Sequence, residues 1–415
     1  MPHILTILFL FALGACVGSF LNVVVWRMPR GESLVHPPSA CPKCGHKLAA
    51  YDNVPIFGWL WLRGKCRYCR SPISPRYPIV ELLTALIFLF QYLLLFHWGW
   101  GPYGIIETPS PWGLDVPLRT IQTLVIENDW PILIMHLWLL AALLAASLID
   151  LKHYIIPLEI CWLTAAAGGI GHTFFVNPHG LGALHFEPQY TALSFGAGVG
   201  LVVALLLLRF RLINRSFEDD APLLEKDVAH LPENERPDPW TSARVRAEIR
   251  RELLFLLVPI TFGLAFMALV LKVPSIGSLW THWTDNVYAG GFLGSLLGGL
   301  VGGFTVWFFR VAGSYGFGRE AMGLGDVHLM FGVGAIVGPG ASVVAFFLAP
   351  AFGLSLAIVM LITKGRRELP YGPYLSLATA AVLLFYTPIA EYLAPGMSGL
   401  VWAIQSLFSP GSASS

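Results

Sequence analysis

The chain has 415 residues, 55% of them hydrophobic and 12% charged, with a formal net charge of +1 and a mean hydropathy of +0.66. Soluble domains carry about 25% charged residues, so this composition excludes an ordinary soluble domain and indicates a membrane protein. A charge so near zero gives no reason to expect nucleic acid as a partner, and none is expected.

A spanning helix needs about 20 apolar residues. The first expected span is 3–25. No basic residue precedes its apolar run and no small-residue cleavage site follows it, so it reads as a retained helix rather than a removed signal. A polar loop rich in Cys and Pro follows over 26–77. The second span is expected at 79–98, and 99–129 reads as a loop on the far side. Further spans are expected at 131–150, 158–176, 190–210, 252–272 and 287–310. The last is rich in glycine, whose spacing suits close helix packing in lipid. The apolar stretch from Asp326 to about 337 is short and is broken by Pro339-Gly340. Spans at 341–363 and 374–393 complete the set, and 396–415 stays unassigned. The expected fold is an all-α polytopic membrane protein of about 8–10 transmembrane helices, with one small cytosolic loop domain.

Placing the 26–77 loop in the cytoplasm and alternating sides puts 24 of the 26 Lys and Arg residues on that side, leaving only Arg119 and Lys272 outside. That bias follows the positive-inside rule. The same alternation places Asp150 and Asp326 at the cytoplasmic face.

Within the loop, Cys41-Pro42-Lys43-Cys44 and Cys66-Arg67-Tyr68-Cys69 form two C-x-x-C knuckles. The spacing suits a closed, structural four-thiolate zinc site. Two disulfides or idle thiols are the competing readings, and a cytosolic loop disfavours disulfides. A domain this small builds little core, so a metal would supply folding energy. Cys16 and Cys161 lie in apolar runs and read as packing.

Two acids carry the chemical hypothesis. Asp150 ends the apolar run 137–149, and Asp326 follows a Gly-x-Gly turn in Met322-Gly323-Leu324-Gly325-Asp326. Ionisable groups at membrane depth are costly and are functional candidates by default. Two carboxylates sharing a proton can activate a water and protonate a leaving amine. Gly323 and Gly325 would leave an extended substrate room beside Asp326. Against this, a lone Asp at a helix end is often a cap or an interfacial charge. Glu81 reads as a polar contact or part of a second site, Asn22 as a bond to a neighbouring helix, and Asp52 with Asn53 as a turn. The charges of 211–251 read as a solvated face, with 244–252 a helix on the membrane surface.

Together the loop and the acids resemble the type IV prepilin peptidases, the GxGD aspartic proteases of bacterial membranes. The resemblance runs through Gly18 to Pro29, the paired cysteines, Tyr51 to Pro55, Ser74 to Thr84, Ile149-Asp150-Leu151 with Pro157, Met322 to Met330, and Pro370 to Tyr374. It implies that Asp150 and Asp326 are the catalytic pair. It also implies a prepilin or pseudopilin substrate, cut after its basic leader at the cytoplasmic side of the bacterial inner membrane. N-methylation of the new terminus with S-adenosylmethionine is implied by the resemblance alone, since no glycine-rich nucleotide loop is visible. His328 stands where the family usually has Lys, and Leu158 where it often has an acid. The family usually has about eight spans.

The expected organisation is an N-terminal part, 1–98, holding the cysteine loop; an outer loop, 99–130; and a peptidase membrane domain, 131–415, with an inserted helix pair and polar loop at about 190–272. Two other classes compete. A transporter would use the two acids as an ion or proton relay, though relays usually sit near the midplane. A zinc-ribbon membrane scaffold would have no chemistry and would be indifferent to Asp326→Asn.

Overall fold

The computed structural model describes residues 2–98, 126–176, 183–213, 216, 242–363, 370–386, 388–389 and 392–393. Residues 99–125 of the expected far-side loop, the polar segment 217–241, the basic residues 364–367 and the tail 396–415 lie outside the described residues, while 126–129, expected in that loop, are helical. Eleven α-helices are described: α1 Pro2–Arg27, α2 Phe57–Trp61, α3 Arg76–Phe96, α4 Ile126–His153, α5 Leu158–Phe174, α6 Pro188–Arg209, α7 Ser242–Lys272, α8 Pro274–Thr284, α9 Val287–Phe317, α10 Leu324–Thr363 and α11 Gly372–Leu384. Among the described residues there is no strand beyond two isolated bridges in the cysteine loop, Ala40 with Lys47 and Lys65 with Pro72. Lipid offers no partner to free backbone groups, so apolar runs of this length satisfy themselves as helices.

Among the described residues, seven helices are long and apolar enough to cross a membrane. With 17 residues α5 is shorter, as is α11 with 13. The polytopic all-helical expectation therefore stands. The two expected stretches on either side of Pro339 are the two helical parts of α10, which meet at a non-helical kink, Gly338 (φ 83°, ψ 174°). Glycine takes that left-handed φ without strain, and the proline after it has no N–H to give the helix.

Two features differ from the sequence expectation. The stretch between the sixth and seventh expected spans is itself helical: α8 starts with Pro274 at its first position. Its Trp280 is buried and donates Nε1–H to the carbonyl of Pro188 at 3.0 Å. The second difference is that α7 begins at Ser242, so 244–252 is not a separate surface helix but the first turns of a membrane helix. Its Glu252 is not solvated; it is buried.

The chain divides into two compact units. One comprises Met1–Ala167, His179–Gly182 and Phe347–Ser415; the other comprises Gly168–Pro178 and Ala183–Phe346. In the first unit α1 lies directly on α3. A β-carbon on Gly14 or Gly18 would stand 2.7 Å from the α-carbon of Ala85 or Glu81. Asn22 donates across this contact to the carbonyl of Tyr77 at 3.2 Å. Buried Gln91 of α3 and His136 of α4 are joined at 2.9 Å. Leu21, Val24, Val80, Ala145, Ile149 and Ile160 form a common core. Near it, the Lys152 ammonium lies 5.0 Å from the ring centre of Trp26. The cysteine loop, which leaves the end of α1, and the Asp150 end of α4 thus lie at the same end of this unit.

In the second unit the glycines of α9 bring backbones together. Gly298 and Gly334 face each other so closely that a β-carbon on either would run into the carbonyl of the other. Ser295 donates to the carbonyl of Ala335 at 2.7 Å. Likewise α6 and α7 meet at Gly196 and Gly200, where a β-carbon would come 2.6 Å from the Phe262 carbonyl oxygen and the Pro259 α-carbon. Small residues give this close approach where no hydrophobic drive separates helix from lipid.

Candidate active site and metal centre

Asp150 stands near the end of α4 and is 6% exposed. Its carbonyl accepts from Tyr154 N–H at 2.9 Å, and Tyr154 takes a left-handed φ of 57°, so the chain turns just after the acid. The Asp150 carboxylate accepts a hydrogen bond from the backbone N–H of Gly372. A β-carbon on Gly372 would stand 2.5 Å from Asp150 Oδ2 and 3.0 Å from Ile156 Cδ1. The segment Pro370 to Tyr374, more than 200 residues away in the sequence, therefore brings its glycine backbone onto this acid.

Asp326 belongs to the other unit. It lies in the first turn of α10, is 6% exposed, and its N–H donates to the carbonyl of Gly323 at 3.2 Å. The positive end of the helix favours a carboxylate there. A β-carbon on Gly323 would meet Asp326 Oδ2 at 3.7 Å, an ordinary contact. Among the described residues no atom would crowd such a β-carbon more closely than that. His328 donates from Nδ1 to the Leu324 carbonyl, 2.7 Å away, and so reinforces the first turn.

The four cysteines of the loop meet. The Sγ atoms of Cys41, Cys44, Cys66 and Cys69 all lie within 4.8 Å of one another, and those of Cys41 and Cys69 are 3.8 Å apart. Zinc–sulfur bonds of about 2.3 Å in a tetrahedron place sulfurs about 3.8 Å apart, so the donor set fits such an ion. All four thiols are free, which sets aside the disulfide reading. Each knuckle turns its backbone inward: Gly45 N–H donates to the Cys41 carbonyl at 2.8 Å and Arg70 N–H to the Cys66 carbonyl at 3.0 Å. Both turning residues have left-handed φ, 70° at Gly45 and 60° at Arg70. The Cys41 thiol is drawn down to about 6 by the backbone N–H groups of Cys44 and Lys43. For Cys44 the backbone N–H of His46 favours the thiolate, but desolvation and the crowding sulfurs of Cys41, Cys69 and Cys66 outweigh it and push the thiol up to about 11. Crowded thiolates repel, and a divalent cation relieves that repulsion.

For three side chains the structure supplies partners that the sequence does not name. Asp52 is no mere turn residue: it is buried, and Arg67, inside the second knuckle, donates Nε–H to both its carboxylate oxygens at 3.0 Å. Glu81 on α3 accepts the backbone N–H of Ile56 at 2.6 Å. Ile56 has φ 63° and ψ −57°, a strained tight turn closed by Phe57 N–H on the Pro55 carbonyl. That contact ties the cysteine loop to the membrane helix. Arg310 is the third. It is wholly buried on α9 and paired with Glu252 at 2.9 Å. The signal for it was present: an arginine inside an apolar helix needs an acid, though the sequence does not say which.

The Bacterial Peptidase A24 N-terminal domain matches residues 12–95. The chain is 52% identical over 114 residues to a Prepilin leader peptidase/N-methyltransferase of Myxococcus xanthus, covering 28% of this chain and 33% of that one. It is 36% identical over 162 residues to a Type 4 prepilin-like proteins leader peptide-processing enzyme of Escherichia coli, covering 35% and 48%. Both matches span less than half of the relative's own length. No solved structure matches. Similarity to the Prepilin leader peptidase/N-methyltransferase of Burkholderia pseudomallei strain 1026b is broader, 32% identity over 247 residues, covering 49% of this chain and 78% of that protein. A match of that breadth, on a multi-pass helical chain whose four cysteines converge, places this protein in the prepilin leader peptidase/N-methyltransferase family.

Proposed function

We propose that the protein is a membrane aspartic endopeptidase that removes the basic leader from type IV prepilins or pseudopilins. Asp150 and Asp326 are assigned as its catalytic carboxylates: one takes the proton of a water that attacks the scissile carbonyl, and the other gives a proton to the leaving amine. Neither acid is given a fixed role. Gly323 and Gly325, having no side chains, would give an extended substrate backbone room beside Asp326. The work is done at the cytoplasmic face of the inner membrane, a side that the charge bias of the sequence supports for both acids. The four cysteines hold a structural zinc, which supplies folding energy to the loop. Residues 1–98 carry that loop, and 131–415 carry the acids with a helix pair inserted at about 190–272.

One observation supports this reading above others: each acid is a buried carboxylate at a helix end beside a glycine backbone, in a chain of this family. The test is leader removal from a purified prepilin by the detergent-solubilised wild type, Asp150→Asn and Asp326→Asn. Cleavage should fall by a factor of about 10² to 10⁴ in each variant. Processing by both at the wild-type rate would end the proposal. The relatives' names include N-methyltransferase, which supports a second activity; the resemblance implies N-methylation of the new terminus with S-adenosylmethionine. Mass spectrometry of the product in the same reaction tests it.

A further inference from the structure

Arg310 sits two turns before the end of α9, in the apolar interior of its unit, with a side chain 0% exposed. A guanidinium in such a place is costly unless its donors are taken up. One edge meets α7: Nε–H donates to Glu252 Oε1 at 2.9 Å. Glu252 is itself held, accepting from Trp307 Nε1 at 3.1 Å and Ser216 Oγ at 3.0 Å. The other edge meets the segment leading to Asp326: Nη1 donates to Glu320 Oε1 and to the main-chain carbonyl of Met322. One turn further along α9, buried Ser314 accepts the N–H of Ala321 at 3.1 Å. Three consecutive residues, Glu320 to Met322, are thus fastened to α9 immediately before Gly323.

This fastening lies where the backbone most needs it. The link from α9 to α10 begins at Gly318, with φ 68°, and ends at Gly323. Glycines leave a chain free to take many paths. The direction in which α10 starts, and so the position of Asp326, depends on what holds the residues between them. A planar guanidinium can grip a carboxylate with one edge and a carbonyl with another, which a lysine ammonium does less well.

We infer that Arg310 is a positioning residue for Asp326, and that the α6–α7 hairpin serves the site by delivering Glu252 to fix Arg310. The inference rests on the reading of Asp326 as a reacting carboxylate. Close packing of α6 on α7 at Gly196 and Gly200 makes the hairpin a firm support for that delivery.

The test uses the full-length protein in detergent and a purified prepilin, with wild type, Arg310→Lys, the double variant Arg310→Met/Glu252→Leu, Glu252→Gln and Asp326→Asn. The double variant removes both buried charges together, so its helices can still pack. It should keep its thermal transition while kcat falls about a hundredfold and KM stays within about twofold, as expected for a displaced catalytic group. Arg310→Lys should fall between wild type and the double variant. Glu252→Gln keeps an acceptor oxygen for Arg310 and serves if the double variant does not fold; it too should lose kcat at unchanged KM. A folded variant with wild-type kcat, or a loss confined to KM, overturns the inference. Hydrogen exchange across 318–328 separates the two readings. If Asp326→Asn cleaves like wild type, the peptidase reading fails. Faster exchange in the folded arginine or glutamate variant would still support the clamp on this segment, and unchanged exchange would overturn it.

Discussion

The carboxylate of Asp150 rests against the backbone of Gly372, with Oδ2 only 2.5 Å from where a β-carbon on that residue would stand. The side chain of α4 and the start of α11 therefore share a space that only glycine leaves open. Backbone at this spot cannot yield easily, since Pro373 follows and both it and Gly372 are buried.

Gly372→Ala should displace Asp150 and lower leader cleavage about a hundredfold, with the helical circular dichroism unchanged. Gly353→Ala is the control, because a β-carbon there meets only the Tyr374 ring at 3.7 Å. Equal activity of the two variants would show that the contact is without consequence.

Zinc content is the next measurable. Purified protein should carry about one zinc per chain, and Cys41→Ser/Cys66→Ser should carry none, by elemental analysis. Chelation of the wild type should expose 41–69 to protease while the membrane helices stay intact. A metal-free wild type with a protease-resistant loop would count against a structural ion.

Asp52→Asn should weaken zinc retention about tenfold in competition with a chelator, a size typical of groups that orient ligands from behind. Arg67 links the buried carboxylate to the segment between Cys66 and Cys69. Loss of leader cleavage with unchanged zinc retention would assign Asp52 to the chemistry instead.

Helix packing gives a stability contrast. Gly298→Leu should prevent a monodisperse, cooperatively melting protein, because a side chain there meets the Gly334 backbone rather than a movable tip. Gly316→Ala has open space within 4 Å and should change stability by no more than about 0.5 kcal/mol. A stable Gly298→Leu protein would mean that α9 and α10 can separate without cost.

Much of the fold was legible because the bilayer makes the rules few. Apolar length marks the spans, and the two cysteine knuckles converge as their spacing implies. What stayed hidden had its cause elsewhere in the chain. Glu252 reads as one more charge of a polar stretch, and only its partner Arg310, 58 residues on, explains its burial. Pro274 to Thr284 reads as a connection, since its helix depends on burying Trp280 against the start of α6.

By itself, then, the sequence determined a polytopic helical protein, a four-thiolate loop and two acids at the ends of apolar runs. These follow from local quantities: run length, residue spacing and the cost of charge in lipid. Tertiary structure alone decided that Gly372 closes on Asp150, that Glu81 holds the strained turn at Ile56, and that Arg310 fastens the residues before Asp326. Each is a contact between distant segments, chosen by which groups could be satisfied together once the helices packed.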